Sequence, residues 1–279
     1  RESLNWLRDK LNELYHRKAS MFLSDPLSSR RSYIDIILDR SEKNIKRFFK
    51  RHAKNNLQLP EITQCLKLLE SQRYAQLMFT SCGWFFDDVS GLESKQILKY
   101  AARAIELANE FGVSLEEGFV KKLDLIPSNV SHYGTGSNVY KEICTLRTDA
   151  LKQAAQYAFI LMACDGTAPD MRYGCHFQVL NQFQHLNQDS IHRLGELHIQ
   201  SNLTLEEWVE LYYLRFSEDG EMISFVKERQ GDEEFHRYAN QLKADTSIEK
   251  FFPESFEIED LVIDDRKRIY GWSLERKSV

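Results

Sequence analysis

Through the first 160 or so residues, apolar side chains recur every three or four positions, the spacing of an amphipathic helix. Leu4, Leu7 and Leu11 begin this pattern near the start of the chain. Asp25-Pro26 places a capping side chain before a proline at the first helical position, which marks the start of another helix. The pattern predicts a helix at the amino terminus, a short one after Ser114, and others near 26–38, 41–53, 60–82, 91–111 and 139–162.

Two serine–glutamate pairs give finer signals for where helices begin. Ser90 with Glu93, and Ser114 with Glu117, have the spacing of a capping box, in which each side chain hydrogen-bonds to the other residue's backbone amide. The stretch 127–137 is rich in serine, glycine and asparagine, a composition typical of a loop. We therefore expect Glu93 to act as a cap.

The pattern changes after DGTAPD at 165–170, where we expect the helical half to end. Alternating, aromatic-rich segments then predict strands near 172–180, 192–201, 208–216 and 221–226. Thr204 and Glu207 would also suit the start of a helix, but the composition that follows favours a strand. Helices are predicted near 232–244 and 258–270. The expected fold is mainly α (α+β), with a helical bundle domain at 1–166 and a small mixed β/α subdomain with terminal helices at 167–279.

Composition fits a folded chain with long helices. Of the 279 residues, 42% are hydrophobic, while only 12 are glycine and 5 are proline, so helix breakers are sparse. The 42 acidic and 37 basic residues are dispersed, so no strong field of one sign is expected to recruit nucleic acid or an anionic membrane. No apolar run approaches the length of a membrane span.

The five cysteines include no CxxC pair, which favours free thiols in a reducing compartment and predicts a cytoplasmic location. His176, His185, His192 and His198 follow no zinc-ligand spacing, so we expect neither a metal nor another cofactor. The chain begins without methionine inside an amphipathic pattern, as a piece of a longer protein would.

Basic residues surround Phe48 and Phe49 over positions 46–54, an arrangement that can meet a phosphate backbone. The alternative interpretation, which we favour, is that the two rings belong to the core and the cations form a solvated face. We therefore expect no nucleic-acid partner.

The richest segment for chemistry is Thr80–Asp88, TSCGWFFDD, here named the aromatic segment. Aromatic rings offer sugars a flat apolar platform, and carboxylates accept hydrogen bonds from hydroxyl groups, so this combination suits a polyol site. The alternative is that the rings plug the helical core while Asp87 helps to cap the next helix. Arg73, about two turns earlier, would reach Asp87 or a sugar hydroxyl, or else form a structural ion pair between helices.

A resemblance to a known family changes the balance between these interpretations. The run at 68–108 resembles the helical region of glycoside hydrolase family 57-like proteins, catalogued as domain of unknown function 3536. The resemblance extends to 33–41 and PSNV at 127–130, and more weakly to the strand region and 255–269. It implies a carboxy-terminal helical region that follows a catalytic (β/α) barrel.

In that family, a Ser-Asp-Trp-Phe-like motif of the helical region faces the sugar site of the barrel, and 81–86 is similar to it. Cys82-Gly83 stands where a Ser-Asp pair is more usual, so Asp87 is expected to supply the polar contact. The resemblance implies that Trp84 touches substrate, and the expected substrate-binding residues are Trp84, Asp87, Phe86, Ser81 and Arg73.

The resemblance also implies retaining hydrolysis or transfer on α-glucans or related oligosaccharides, with a glutamate nucleophile and an aspartate acid/base in the barrel. Neither has a matching motif in this chain, so we assign no catalytic residue and expect the chain to be inactive alone. Its expected partner is an amino-terminal barrel of the same polypeptide. The alternative function is a structural or interdomain assembly module with no ligand of its own.

Overall fold

The computed structural model describes residues 1–260 except 86, 146–148, 165–167 and 188–189, and except the side chains of Trp84 and Thr145. Two compact units are present. The first is Arg1–Arg147 with Leu203–Leu205, and the second is Thr148–Asn202 with Glu206–Val279. Compact units are not the same as independently folding domains, so the boundary expected at 166 stays a prediction.

Helices make up the first unit. They are α1 (Glu2–Ala19), α2 (Pro26–Ser32), α3 (Ile34–Leu38), α4 (Glu42–His52), α5 (Leu59–Leu77), α6 (Leu92–Asn109), α7 (Glu116–Leu123) and α8 (Gly136–Thr145), with a 3-10 helix at Ser81–Trp84. Two of the predicted starts are seen in detail, since Asp25 accepts from the amide of Ser28 and Ser41 from that of Asn44. The predicted helix at 26–38 is divided at Tyr33, whose side chain is buried.

Helix α5 packs against α1 and α6, and its apolar side chains join theirs in one core. A polar group is buried in the same helix: the carboxylate of Glu70 is 1% exposed. It accepts hydrogen bonds from the Tyr33 hydroxyl at 2.5 Å, Arg40 at 2.7 Å and Arg73 at 3.1 Å. Tyr33 precedes α3, Arg40 follows it, and Arg73 belongs to α5. Glu70 therefore links the region of α3 to α5.

The second unit is built on a sheet. Its elements are α9 (Ala150–Ala163), β1 (Met171–Arg172), β2 (Cys175–Leu186), β3 (Ser190–Ser201), β4 (Glu207–Ser217), β5 (Met222–Glu228), α10 (Glu234–Lys243), a 3-10 helix (Glu249–Phe251), β6 (Glu254–Glu257) and a 3-10 helix (Ile258–Asp260). All neighbouring strands pair antiparallel in the order β1-β2-β3-β4-β5-β6.

Helices cover both faces of this sheet. Because side chains alternate along a strand, Tyr212 and Leu214 pack with α9, whereas Leu211 and Tyr213 pack with α10. Gly195 lies directly opposite Tyr212, and a Cβ there would meet the tyrosine ring at 2.1 Å. The glycine therefore makes room for a buried aromatic side chain.

The predicted fold class, a mainly helical bundle with a small β-containing subdomain, is wrong. Of the described residues, about 51% are helix and 21% strand, and their strands form one six-stranded antiparallel sheet. Two features account for the difference. Strands β2 and β3 are 12 residues each, longer than their apolar cores suggested, and the predicted helix at 139–162 is interrupted where Asp149 caps α9 by accepting from the Lys152 amide.

The remaining predictions of helices, strands and core residues had different outcomes. The choice of strand over helix after Thr204 is confirmed by β4. Phe48 and Phe49 are each 5% exposed in α4, as expected of core residues. The helix predicted near 258–270 falls mostly outside the described residues, of which 258–260 form a 3-10 turn. In the described part of the chain, no helix has the length and apolar character needed to cross a bilayer.

Candidate functional site

The aromatic segment begins where α5 ends, earlier than the predicted end near Cys82. The Thr80 hydroxyl donates to the carbonyl of Leu77 at 3.0 Å. The amides of Gly83 and Phe85 then donate to the carbonyls of Thr80 and Cys82, each at 3.3 Å, which closes the 3-10 helix. The segment is thus an ordered turn that connects α5 to α6.

Gly83 explains how closely this turn approaches α6. A Cβ at position 83 would lie 1.7 Å from Cδ1 of Ile97, a buried side chain of α6. Any residue larger than glycine at this position would therefore displace either the turn or Ile97. Gly83 thus allows the turn to pack closely against α6.

Several side chains of the aromatic segment face solvent. Phe85 is 80% exposed, and Ser81, Cys82 and Asp87 are exposed as well. Trp84 belongs to the 3-10 helix by its backbone, but its side chain lies outside the described part, as does the whole of Phe86. The geometry therefore brings an exposed ring and an exposed carboxylate to the same turn.

Asp88, which sequence reasoning passed over, fixes the end of the segment. Its Oδ1 accepts from the Ser90 amide at 2.7 Å, the Ser90 hydroxyl at 2.5 Å and the Ser128 hydroxyl at 3.1 Å. Its Oδ2 accepts from the Asn129 amide at 2.5 Å. One carboxylate therefore joins the aromatic segment to the loop that carries PSNV.

The loop at 127–134 is held by hydrogen bonds of its own. The Ser128 amide donates to the carbonyl of Gly134 and the Gly136 amide to that of Ile126, so the two ends of the loop lie side by side. Lys95 of α6 donates to the Tyr133 hydroxyl at 2.6 Å. The surface formed by the aromatic segment and residues 127–134, here named the Asp88 surface, is thus held by several hydrogen bonds.

The capping boxes predicted from sequence are wrong. Ser90 donates to Asp88, and the residue before α6 is Gly91, which supplies no capping side chain. Likewise α7 follows Leu115 without a side-chain cap. The role assigned to Glu93 as a cap is therefore not realised, because Asp88 engages the serine.

Arg73 has structural contacts. It donates to Glu70 at 3.1 Å, and its guanidinium carbon lies 5.9 Å from the centroid of the Tyr74 ring. These contacts hold it within α5 and do not bring it to Asp87. Its expected role at a sugar site stays a prediction, as do those of Ser81 and Asp87.

Asp88 should make the Asp88 surface sensitive to acid. Hydrogen bonds from the Ser90 hydroxyl, the Asn129 amide and the Ser90 amide lower the pKa of Asp88 from 3.8 to about 2. A carboxylate whose pKa is lower in the folded state stabilises the fold at pH values above its unfolded-state pKa. This stabilisation is lost as the pH falls through the folded-state pKa. We expect faster amide exchange at Ser90 and Asn129 between about pH 4 and pH 2.

The matched variant is Asp88→Asn, which keeps the size of the side chain but does not titrate. Exchange at both amides, followed by NMR and corrected for intrinsic rates, should be fast in this variant at all pH values. An acid-induced change of the same size in the variant would assign the effect to other carboxylates.

Comparison with known proteins gives one match. The family model described as Domain of unknown function (DUF3536) matches residues 1–258. No curated protein and no solved structure matches the chain. Among the described residues, no group of three or more His, Cys, Asp or Glu side chains is placed to hold a metal ion.

Proposed function

Because the chain belongs to the family of unknown function DUF3536, we propose that it is the non-catalytic carboxy-terminal region of a glycoside hydrolase family 57-like, carbohydrate-active protein. In this proposal the aromatic segment lines the sugar-binding cleft of a catalytic barrel that belongs to the same polypeptide. The whole polypeptide, with the barrel, is here called the parent protein. The barrel would supply the retaining chemistry on α-glucans, and this chain would supply contacts to the sugar.

The observation that carries the proposal is the exposure of Phe85 and Asp87 on a turn that is otherwise firmly held. A ring that is 80% exposed on an ordered turn is available to pack against a ligand. An apolar ring beside a carboxylate suits a sugar, which has C–H faces and hydroxyl groups. Trp84, adjacent in sequence, is the residue that we propose to stack on the sugar.

A second support is the meeting of two segments that carry the family resemblance. Residues 68–108 and PSNV at 127–130 are separated in sequence but joined by Asp88 with Ser128 and Asn129. A binding surface requires rigid support from the residues around it. The contacts of Asp88 supply such support directly next to the proposed sugar-contacting residues.

The rival function is a structural module that packs against another domain without binding sugar. Exposed apolar side chains in the first unit favour it, since Leu92 is 80% and Leu125 is 82% exposed. Exposed leucines of this kind would be buried if the first unit packed against another domain, and a contiguous patch of them would mark an interaction surface. The two functions differ in what Trp84 touches, so a Trp84 variant separates them.

The test is Trp84→Ala in the parent protein, assayed on α-glucans. Burial of an aromatic side chain against a ligand contributes about 1.5–3 kcal/mol, so we expect kcat/KM to fall by roughly 10- to 150-fold. Leu125→Ala removes a similarly exposed apolar side chain outside the aromatic segment and should leave kcat/KM within about two-fold.

Two outcomes would contradict the proposal. Turnover of α-glucans by the isolated chain would overturn the division of labour between barrel and carboxy-terminal region. Unchanged kcat/KM in Trp84→Ala, with the protein still folded by circular dichroism, would favour the assembly module.

A further inference from the structure

A second candidate site lies in the sheet unit, on the face that α10 covers. Three strands contribute to it at the same level, because His185 pairs with His192 and His192 pairs with Arg215 in register. The next level along the strands toward the middle of the sheet is apolar and consists of Phe183, Leu194 and Tyr213. This face of the sheet therefore changes from apolar to polar within two residues along each strand.

This change coincides with the end of α10 at Lys243. Beyond that residue α10 no longer covers the sheet, and a cavity of about 660 Å³ lies between the strands and residues 245–249. Small-molecule sites in proteins have volumes of roughly 300–1,000 Å³. The cavity thus has the size of a ligand site and lies entirely within the second unit.

Hydrogen bonds orient the polar side chains of the cavity. The Nδ1 atom of His192 lies 2.6 Å from the buried Tyr213 hydroxyl, and its Nε2 lies 2.7 Å from the Ser190 hydroxyl and 3.0 Å from Nδ2 of Asn187. Burial, then the nearby His185 and Arg215, lower the pKa of His192. At neutral pH the ring is therefore an uncharged group that both donates and accepts.

The charge of the cavity excludes one class of ligand. Among its described lining residues, four carboxylates accompany a single arginine: Glu218, Asp219, Asp245 and Glu249. Arg215 already donates to Glu249 at 2.6 Å and to Glu221 at 3.1 Å. A phosphorylated or otherwise anionic ligand would meet net negative charge, whereas a neutral ligand with many hydroxyl groups would meet oriented acceptors and donors.

Asp245 adds a backbone observation. Its φ is +49°, in the left-handed region that an aspartate adopts only at some cost, where glycine would be unstrained. This conformation ends α10, with the Asp245 amide donating to the carbonyl of Leu242. It also places the carboxylate 2.7 Å from Nε2 of His185, at the rim of the cavity.

We propose that this cavity is a binding site for a neutral polyhydroxylated ligand, a mono- or oligosaccharide, distinct from the Asp88 surface. Sugars are recognised by side chains with fixed hydrogen-bonding directions and by flat apolar rings. His192, Ser190 and Asn187 line the cavity and supply the first feature, because hydrogen bonds fix their directions. The proposal does not require the aromatic segment to touch sugar, since it concerns the other unit of the chain.

The experiment is isothermal titration calorimetry of the whole chain with D-glucose and maltose, and separately with spermidine and inorganic phosphate. We expect saturable binding of glucose or maltose and none of phosphate. Glu249→Gln removes a charged acceptor in the cavity and should weaken sugar binding about ten-fold or more. Ser190→Ala, which removes a neutral partner, should weaken it about three- to ten-fold.

Glu207→Gln is the matched control. Glu207 lies on β4 but does not line the cavity, and its carboxylate pairs with Gln200 and His198. This variant should bind the sugars as the wild-type chain does. Weaker binding by Glu249→Gln and Ser190→Ala then assigns the site to the cavity, since neither substitution touches the aromatic segment. Failure of both sugars to bind, equal binding by Glu249→Gln and wild type, or binding of spermidine alone would each overturn the proposal.

Discussion

Replacing Glu70 by alanine is expected to lower the free energy of unfolding of the first unit by about 3 kcal/mol. The carboxylate is 1% exposed and accepts from Tyr33, Arg40 and Arg73. Burial and the charge of Glu70 raise the pKa of Tyr33, so its hydroxyl remains a donor. Without Glu70, two guanidinium groups and this hydroxyl lose their acceptor inside a packed region, and urea denaturation at pH 7 measures the cost.

The matched control is Glu117→Ala on α7. Glu117 pairs with Lys121 four residues later, but both side chains are largely exposed, at 81% and 72%. Such a pair contributes about 0.3–0.5 kcal/mol. Equal losses in the two variants would mean that the Glu70 network adds nothing beyond an ordinary surface ion pair.

Gly83→Ala is expected to have the largest effect on the aromatic segment. The added methyl group would meet Ile97 at 1.7 Å, so the 3-10 helix must move away from α6 or Ile97 must repack. Overpacking of this kind costs about 1–3 kcal/mol. Displacement of the neighbouring Trp84 by about 1 Å would lower kcat/KM of the parent protein by up to roughly 100-fold.

A compensating change tests this steric explanation. Ile97→Ala removes the atoms that the new methyl group would meet, so kcat/KM of the Gly83→Ala/Ile97→Ala double variant should exceed that of Gly83→Ala. The double-mutant cycle isolates this coupling from the separate cost of the cavity at position 97. Additive losses in kcat/KM would show that the contact with Ile97 does not position the segment.

Local sequence signals predicted the beginnings of helices well where a single side chain decides the matter. Asp25 caps α2, as Asp25-Pro26 indicated, and α4 begins near the predicted residue 41, where Ser41 supplies a cap that the sequence analysis had not named. The capping-box spacing misled at Ser90, because Asp88, two residues earlier, competes for its hydroxyl and amide. A capping box is a local pattern, and a stronger local acceptor replaces it.

The fold class was harder to predict because it depends on what covers the strands. The strand positions were recognised from alternation, but polar residues at the ends of β2 and β3 concealed how far these strands extend. Residues such as His185 and His192 pair in register within the ladder even though their side chains are polar. Their functional interest arises from the register, which no spacing along the sequence reveals.

The candidate site was predictable in part. The composition of the aromatic segment fitted either a ligand surface or a core plug, and the family resemblance favoured the ligand surface. The exposure of Phe85 agrees with a surface position for that turn. The role of Asp88 could have been suspected, since Asp88 and Ser90 have the spacing of a local side-chain turn. Its contacts with Ser128 and Asn129 join segments 40 residues apart, and only the fold brings these together.

The most direct test is hydrogen exchange of the parent protein, followed by mass spectrometry with and without a saturating maltooligosaccharide. If the aromatic segment lines the sugar cleft, bound sugar should slow exchange of the amides in 81–88 and 128–130. Peptides from α7, as an internal reference, should exchange at the same rate in both states. Sugar that binds the parent protein but leaves exchange of 81–88 unchanged would contradict the proposed function.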